Sequence, residues 1–139
     1  MAVLTPVPLV MKDVELIIGV IATGDDFRKF VDAVTFTPSA SSTSWTGLGA
    51  NTHTDVSTAT WTLDLSYVQD WESTKSLSKF LFDNEGKSFP AKFRPKSGVG
   101  ASFTAEIVIT PGSIGGTVNS FASTTVSLGV NGKPVLATT

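Results

Sequence analysis

The chain has no cysteine and only one histidine, His53, among its 139 residues. A thiol nucleophile, a thiolate metal site and a disulfide framework are thereby excluded, and so are a two-histidine zinc site and an HExxH helix. The lack of cysteine is in keeping with an intracellular folding compartment. Basic residues are also scarce. Ten Lys and Arg against twelve Asp and Glu leave a net charge of -2, with no basic stripe of the kind that holds phosphates, so tight nucleic-acid binding is not expected. Long apolar runs are missing too. "VELIIGVI" (14–21) is too short to span a bilayer and carries Glu15, and the start "MAVLTPVPLVMKDVE" lacks the charged region of an export signal. A soluble, unexported protein with no membrane association is expected.

What is present reads mainly as strand. At 139 residues the chain is the size of one domain, able to bury about 68–70% of the surface its unfolded form exposes. "VELIIGVI" has the composition of a strand buried on both faces. "ATGDDFRK" supplies a turn around Gly24, and "FVDAVTFT" resumes strand composition until Pro38 stops it. "TATWTLDLSY" (58–67) alternates Trp61, Leu63, Leu65 and Tyr67 against Thr60, Thr62, Asp64 and Ser66, the strongest strand signal in the chain. Then the period changes. Trp71, Leu77, Phe80 and Leu81 recur at helical spacing, with Asp70 or Ser73 able to cap the start and Gly86 the end. This predicts one amphipathic helix of about three turns, from Ser73 to Asn84. "SFPAKFRP" is confined by Pro90 and Pro95 to an edge position. "SFTAEIVIT" alternates until Pro111-Gly112 bends it, and "ASTTVSLGV" alternates until Asn131-Gly132 signals a tight turn before a short tail. The expected fold is all-β, a sandwich or barrel of two antiparallel sheets with one flanking α-helix.

The motifs that suggest chemistry have plainer explanations. Gly86-Lys87-Ser88 could close a phosphate loop, but the glycine such a loop needs five residues earlier is Leu81, and the helix precedes the triplet instead of following it. A glycine at the helix end with a lysine near the negative pole of its dipole accounts for the triplet. "GSIGG" (112–116) lacks GxGxxG spacing and a following helix, and reads as a bend or bulge. His53 lies in a polar stretch with no GxSxG elbow nearby and reads as an exposed loop histidine. Asp64 and Glu106 sit on polar strand faces, where paired acids hydrolyse glycosides only at the right separation; scattered surface acids are far commoner. No catalytic residue, cofactor or metal ligand is assigned.

Two larger patterns remain. The strand faces opposite the core are lined by small hydroxyl residues, Thr35, Thr37, Thr60, Thr62, Ser66, Thr104, Thr125 and Ser127, punctuated by Asp64 and Glu106. A wet, smooth, slightly acidic face repels phosphates, which suits a conduit. Residues 38–57, "PSASSTSWTGLGANTHTDVS", form a segment too long for an ordinary loop, with Trp45, Leu48 and Val56 as its large apolar residues. Edge strands with little to blunt them suggest pairing between subunits that closes a ring.

The blocks "VTFTPSASSTSWTGLG", "ATWTLDLSYVQDW", "SLSKFLFDNEGK" and "FTAEIVITPGSIGGTVNSFASTTVSLGVNGKP", in this order, resemble the major tail tube proteins of long-tailed, non-contractile bacteriophages of actinobacteria. The likeness covers about residues 12 to 136 and carries no catalytic signature. It implies a single tail tube domain (1–139), with an N-terminal arm (1–11), an inter-ring loop (38–57) and a C-terminal tail (131–139), assembling as hexameric rings stacked into a hollow tube. Thr60, Thr62, Asp64, Ser66, Thr104, Glu106, Thr125 and Ser127 would then line the lumen, and Trp45, Leu48, Asn51, His53 and Asp55 would belong to the inter-ring loop. Implied partners are copies of the chain, a tape measure protein in the lumen, tail tip and terminator proteins, and DNA passing without sequence-specific binding. The implied location is the virion tail, after assembly in the bacterial cytoplasm. The inner tube of a contractile tail shares that fold. The rival from another class is a β-sandwich adhesion or carbohydrate-binding module built on Trp45, Trp61 and Trp71. Register argues against it, since Trp61 runs with Leu63 and Leu65 and Trp71 opens the apolar face of the helix.

Overall fold

The computed structural model describes residues 2–19, 24–96 and 100–138. Among these, strands β1 (Glu15–Ile18), β2 (Asp25–Asp26), β3 (Val31–Ser39), β4 (Ser42–Thr46), β5 (Thr52–Val56) and β6 (Thr60–Val68) precede helix α1 (Leu77–Asp83). Strands β7 (Ser88–Arg94), β8 (Ser102–Val108) and β9 (Ser123–Ala137) follow it. Seven strands form one antiparallel sheet in the order β2-β1-β7-β8-β9-β6-β3, and β4 pairs with β5 in a separate two-stranded sheet.

The large sheet is curled. Strands β3 and β7 stand four places apart, about 19 Å across a flat sheet, yet the rings of Phe36 on β3 and Phe93 on β7 lie 6.2 Å apart. Inside the curl sits one core of Leu16, Ile18, Val34, Leu63, Leu65, Tyr67, Ile107 and Leu128, to which α1 adds Leu77 and Leu81. The all-β fold with one helix is as expected from the sequence, with the second sheet reduced to the small β4–β5 pair. Alternation set these faces correctly. On β6, Leu63, Leu65 and Tyr67 are buried while Thr62, Asp64 and Ser66 between them stay partly open, as a period of two requires.

Several elements depart from the sequence reading. Instead of a strand buried on both faces, β1 alternates, with Leu16 and Ile18 buried and Glu15 and Ile17 half-buried; Glu15 faces Arg94 of β7, N to O 3.7 Å. The rest of the apolar run, 20–21, and the first two residues of the expected turn, 22–23, lie outside the described residues. Pro38 does not stop its strand, because β3 is the outermost strand of the sheet and can include a residue with no N–H to give. "SFPAKFRP" is not an edge: β7 lies between β1 and β8. Pro90 is tolerated there because its carbonyl accepts from Gly19 N at 2.9 Å, just past the last β1–β7 pair, Ile18 with Ala91. An extended residue turns its N and its C=O toward the same neighbour, so the missing donor faces the end of β1 and leaves the β8 ladder intact.

The helix is seven residues long instead of three turns. Its N-cap is Ser76, whose hydroxyl accepts from Lys79 N at 3.3 Å and donates to the Asp70 carbonyl at 2.6 Å. Asp70 instead closes the preceding turn, its carboxylate accepting from the amides of Glu72 and Ser73 at 3.1 Å each. Asn84, not Gly86, ends the helix; Gly86 follows at φ +81° with its amide on the Ile109 carbonyl at 2.9 Å. The turn expected at Asn131-Gly132 is absent and the chain runs on in β9 to Ala137, through most of the expected tail. Gly132, at φ +85°, serves a bulge there: β8 pairs Thr104 with Val135 but Glu106 with Asn131, which leaves two extra residues on β9.

Candidate functional site

The most extensive organised polar feature is the outer face of β3, β6 and β9. Register brings Thr35, Asp64 and Ser127 into one row across the three strands, Thr37, Thr62 and Gly129 into the next, and Ala33, Ser66 and Thr125 into a third. At its centre the Asp64 carboxylate accepts from Thr37 Oγ1 at 2.7 Å and from Ser127 Oγ, tying the three strands together. Thr60 closes one end by donating to the Ser39 carbonyl at 3.3 Å. On β8, Thr104 and Glu106 face the same way, opposite the buried Ala105 and Ile107. All ten hydroxyl and acidic residues singled out on the strands therefore share the face turned away from the core and from α1.

This face has no catalytic geometry in the acids considered. Asp64 lies opposite Ser127 and Glu106 opposite Asn131, one strand on either side of β9 and four residues apart along it. That spacing puts them roughly 16 Å apart on an open surface, whereas glycosidase carboxyl pairs stand about 5–9.5 Å apart. The Gly86-Lys87-Ser88 triplet likewise forms no phosphate loop, since Lys87 N donates to the Asn84 carbonyl at 3.0 Å and Ser88 opens β7. Among the described residues no group of three or more His, Asp or Glu could hold a metal ion, and no helix is long and apolar enough to cross a membrane.

Extensions project from the body. Residues 38–57 are not a structureless loop: β3 and β6 continue through Ser57 N to the Ser41 carbonyl (2.8 Å) into the β4–β5 hairpin, in which no strand residue is buried. Ser44 with Thr54 and Thr46 with Thr52 form hydroxyl rungs at 3.1 and 3.3 Å. On the other side Trp45 stacks on His53, ring centroids 6.0 Å apart, with Asp55 one rung further along. Leu48, at the tip, is wholly exposed, and Asn51 closes the turn by accepting the Gly47 amide on its carbonyl at 2.8 Å. At the N-terminus, residues 2–11 form no strand, and Val3, Leu4, Val7 and Leu9 stand exposed.

Other apolar surfaces escaped the sequence reading. Trp71 is not in the helix or the core: it is 38% exposed, edge-to-face with Phe82 at 6.0 Å, its Nε1 donating to Gln69 Oε1. The "GSIGG" segment is part of a long connection, held by Gln69, whose side-chain amide donates to the Gly115 carbonyl and accepts its N–H, both at 2.9 Å. Beside that clasp Ile114, Val118 and Phe121 are exposed. Exposed apolar residues in an irregular segment follow no periodicity, so nothing in the sequence distinguished them from core. Trp61, expected in the core, is half-buried and lines an apolar groove of about 560 Å³ at the open mouth of the curl.

The arrangement defines an antiparallel β protein with a broad hydroxyl-lined face and apolar extensions. Its fold is similar to that of a chain in the virion of a native gene transfer agent (GTA) particle, with a TM-score of 0.61 over 88% of this chain and 95% of that one. Sequence identity between them is 15%, so the likeness is one of fold alone. No protein-family model matches this chain, and no curated protein does.

Proposed function

We propose that the chain is a structural virion protein, the subunit of a phage-type tail tube, whose copies form hexameric rings that stack into a conduit for the genome. The observation that carries this reading is the pairing of a charge-poor hydroxyl face with apolar extensions. Thr35, Thr37, Thr62, Asp64, Ser66, Thr125 and Ser127 make a surface that stays wet and offers phosphate no cationic side chain to hold it. Trp45, Leu48, Val3, Leu4, Val7, Val118 and Phe121 stand exposed where a lone subunit gains nothing by having them. The shared fold with a gene transfer agent virion chain supports the same reading. In it the hydroxyl face lines the lumen, the hairpin and the N-terminal arm reach between rings, and α1 lies on the outer side. A tape measure protein fills the lumen before DNA does.

Electron microscopy of the concentrated protein, with and without tail-tip components that nucleate growth, tests the proposal. Hollow tubes with six-fold end views are the expected result. A chain that stays monomeric even with the initiator refutes it and favours the β-sandwich binding module.

A further inference from the structure

The groove at the mouth of the curl has a floor of aromatic rings in contact. Phe93 lies 6.2 Å from Phe36 and 6.3 Å from Phe103, and Trp61, Leu136, Leu9 and Met11 rise around them. Its volume, about 560 Å³, is within the roughly 300–1,000 Å³ of sites that enclose a ligand. Apart from Thr35, its one polar lining residue is Lys133, which has no ion-pair partner among the described residues. The β4–β5 hairpin is its counterpart. It offers Leu48, wholly exposed, with Trp45 behind it, and Asp55 is the only carboxylate in residues 33–63, also without an ion-pair partner among the described residues. A two-stranded hairpin that buries none of its own strand residues is marginal in water alone.

We infer that the groove is the seat of the hairpin of a second copy of the chain, with Leu48 against Phe36, Phe93 and Phe103 and Asp55 at the rim beside Lys133. The occupant is another copy because the hairpin continues the β3–β6 ladder beyond the body, and its strands pack chiefly on each other. Apolar tip meets apolar floor, and the single anionic residue of the arm meets the single cationic residue of the groove. Knob and groove lie at different places on one chain, so the contact is heterologous: each copy gives a hairpin to one neighbour and receives one from another, which closes a ring or propagates a stack. The inference rests on the tube reading in so far as it names where the hairpin goes.

The absence of cysteine makes a direct test possible. Leu48→Cys and Leu136→Cys are placed together in one chain, the protein is assembled and mildly oxidised, and the products are separated by size under denaturing conditions. A ladder of covalent multimers that needs both cysteines is expected. Leu48→Ser should raise the critical concentration for assembly about ten-fold or more, through loss of one buried leucine. Asp55→Lys should raise it about two- to five-fold, with Lys133→Asp restoring it, as for a rim ion pair. Tubes that form normally with Leu48→Ser, together with tubes of the Leu48→Cys, Leu136→Cys chain that give no ladder, overturn the groove assignment and leave the tube reading intact. A ladder from Val7→Cys with Leu136→Cys in place of the Leu48 pair puts the N-terminal arm in the groove and also overturns it. A ladder confined to small closed oligomers with no tubes supports the seat and refutes the tube, and a chain monomeric under all conditions refutes both.

Discussion

Gly112→Ala should destabilise the fold through one identifiable collision. A Cβ at Gly112 would meet Tyr67 Oη far inside contact distance, with Thr124 Cγ2 at 3.2 Å and Tyr67 Cζ at 3.3 Å. Tyr67 cannot swing clear, because its side chain is in the core and the residue is 2% exposed. Overpacking of this kind costs about 1–3 kcal/mol. Tyr67→Phe removes the colliding oxygen while keeping the buried ring, and should cost about 1 kcal/mol or less by itself. The two changes must therefore be non-additive, with Gly112→Ala costing less by about 1 kcal/mol or more when Tyr67→Phe is already present. Urea unfolding followed by tryptophan fluorescence reads all four proteins, at roughly 0.5 M in midpoint per kcal/mol for a slope of about 2 kcal/mol/M. Additivity within about 0.5 kcal/mol, or a neutral Gly112→Ala, would refute the reasoning.

Leu128→Ala, at a fully buried position on β9 opposite Leu63, should lower stability by about 2–5 kcal/mol; Val135→Ala on the exposed part of the same strand should stay within about 0.5 kcal/mol in the monomer. A smaller gap between their urea midpoints would contradict the burial of the core. For Asp26, burial raises the carboxyl pKa, but the hydrogen bonds and charge of Arg28 outweigh it and hold the group below its ordinary value. Its contribution is thus present above about pH 4 and lost as pH falls through the lower folded value, so Asp26→Asn should weaken the protein at neutral pH and flatten the acid fall of its urea midpoint. An unchanged acid slope would be the contrary result. Tyr67 is the sole tyrosine, and burial raises its phenol more than the Gly112 amide lowers it. Ultraviolet titration should show ionisation above the ordinary value of about 10, and the stability its neutral form gives should be lost as pH rises past that point; ionisation at or below the ordinary value would contradict this environment.

The sequence by itself determined which side chains share a face and which chemistries are impossible. A strand's period of two is local, so the alternation of Leu63, Leu65 and Tyr67 with Thr62, Asp64 and Ser66 fixed inside and outside before any neighbour was known. Only the tertiary structure decided what lies beside what. Pro90 reads as an edge residue until β1 is seen to end beside it, and Asn131-Gly132 permits a positive φ that serves a reversal or a bulge equally well. The helix cap passed to Ser76 because the turn closed by Asp70 used the residues before it. Trp61 was expected in the core because it runs in register with Leu63 and Leu65, and Trp71 because it opens the helical apolar pattern, yet a core holds only what the curl encloses, and their places fall at its mouth and outside it. Hairpin and groove were equally hidden. Leu48 and Asp55 are close in sequence and legible as an odd segment, whereas the groove takes side chains from residues 9 to 136, and a surface assembled over that separation exists only once the sheet has rolled up.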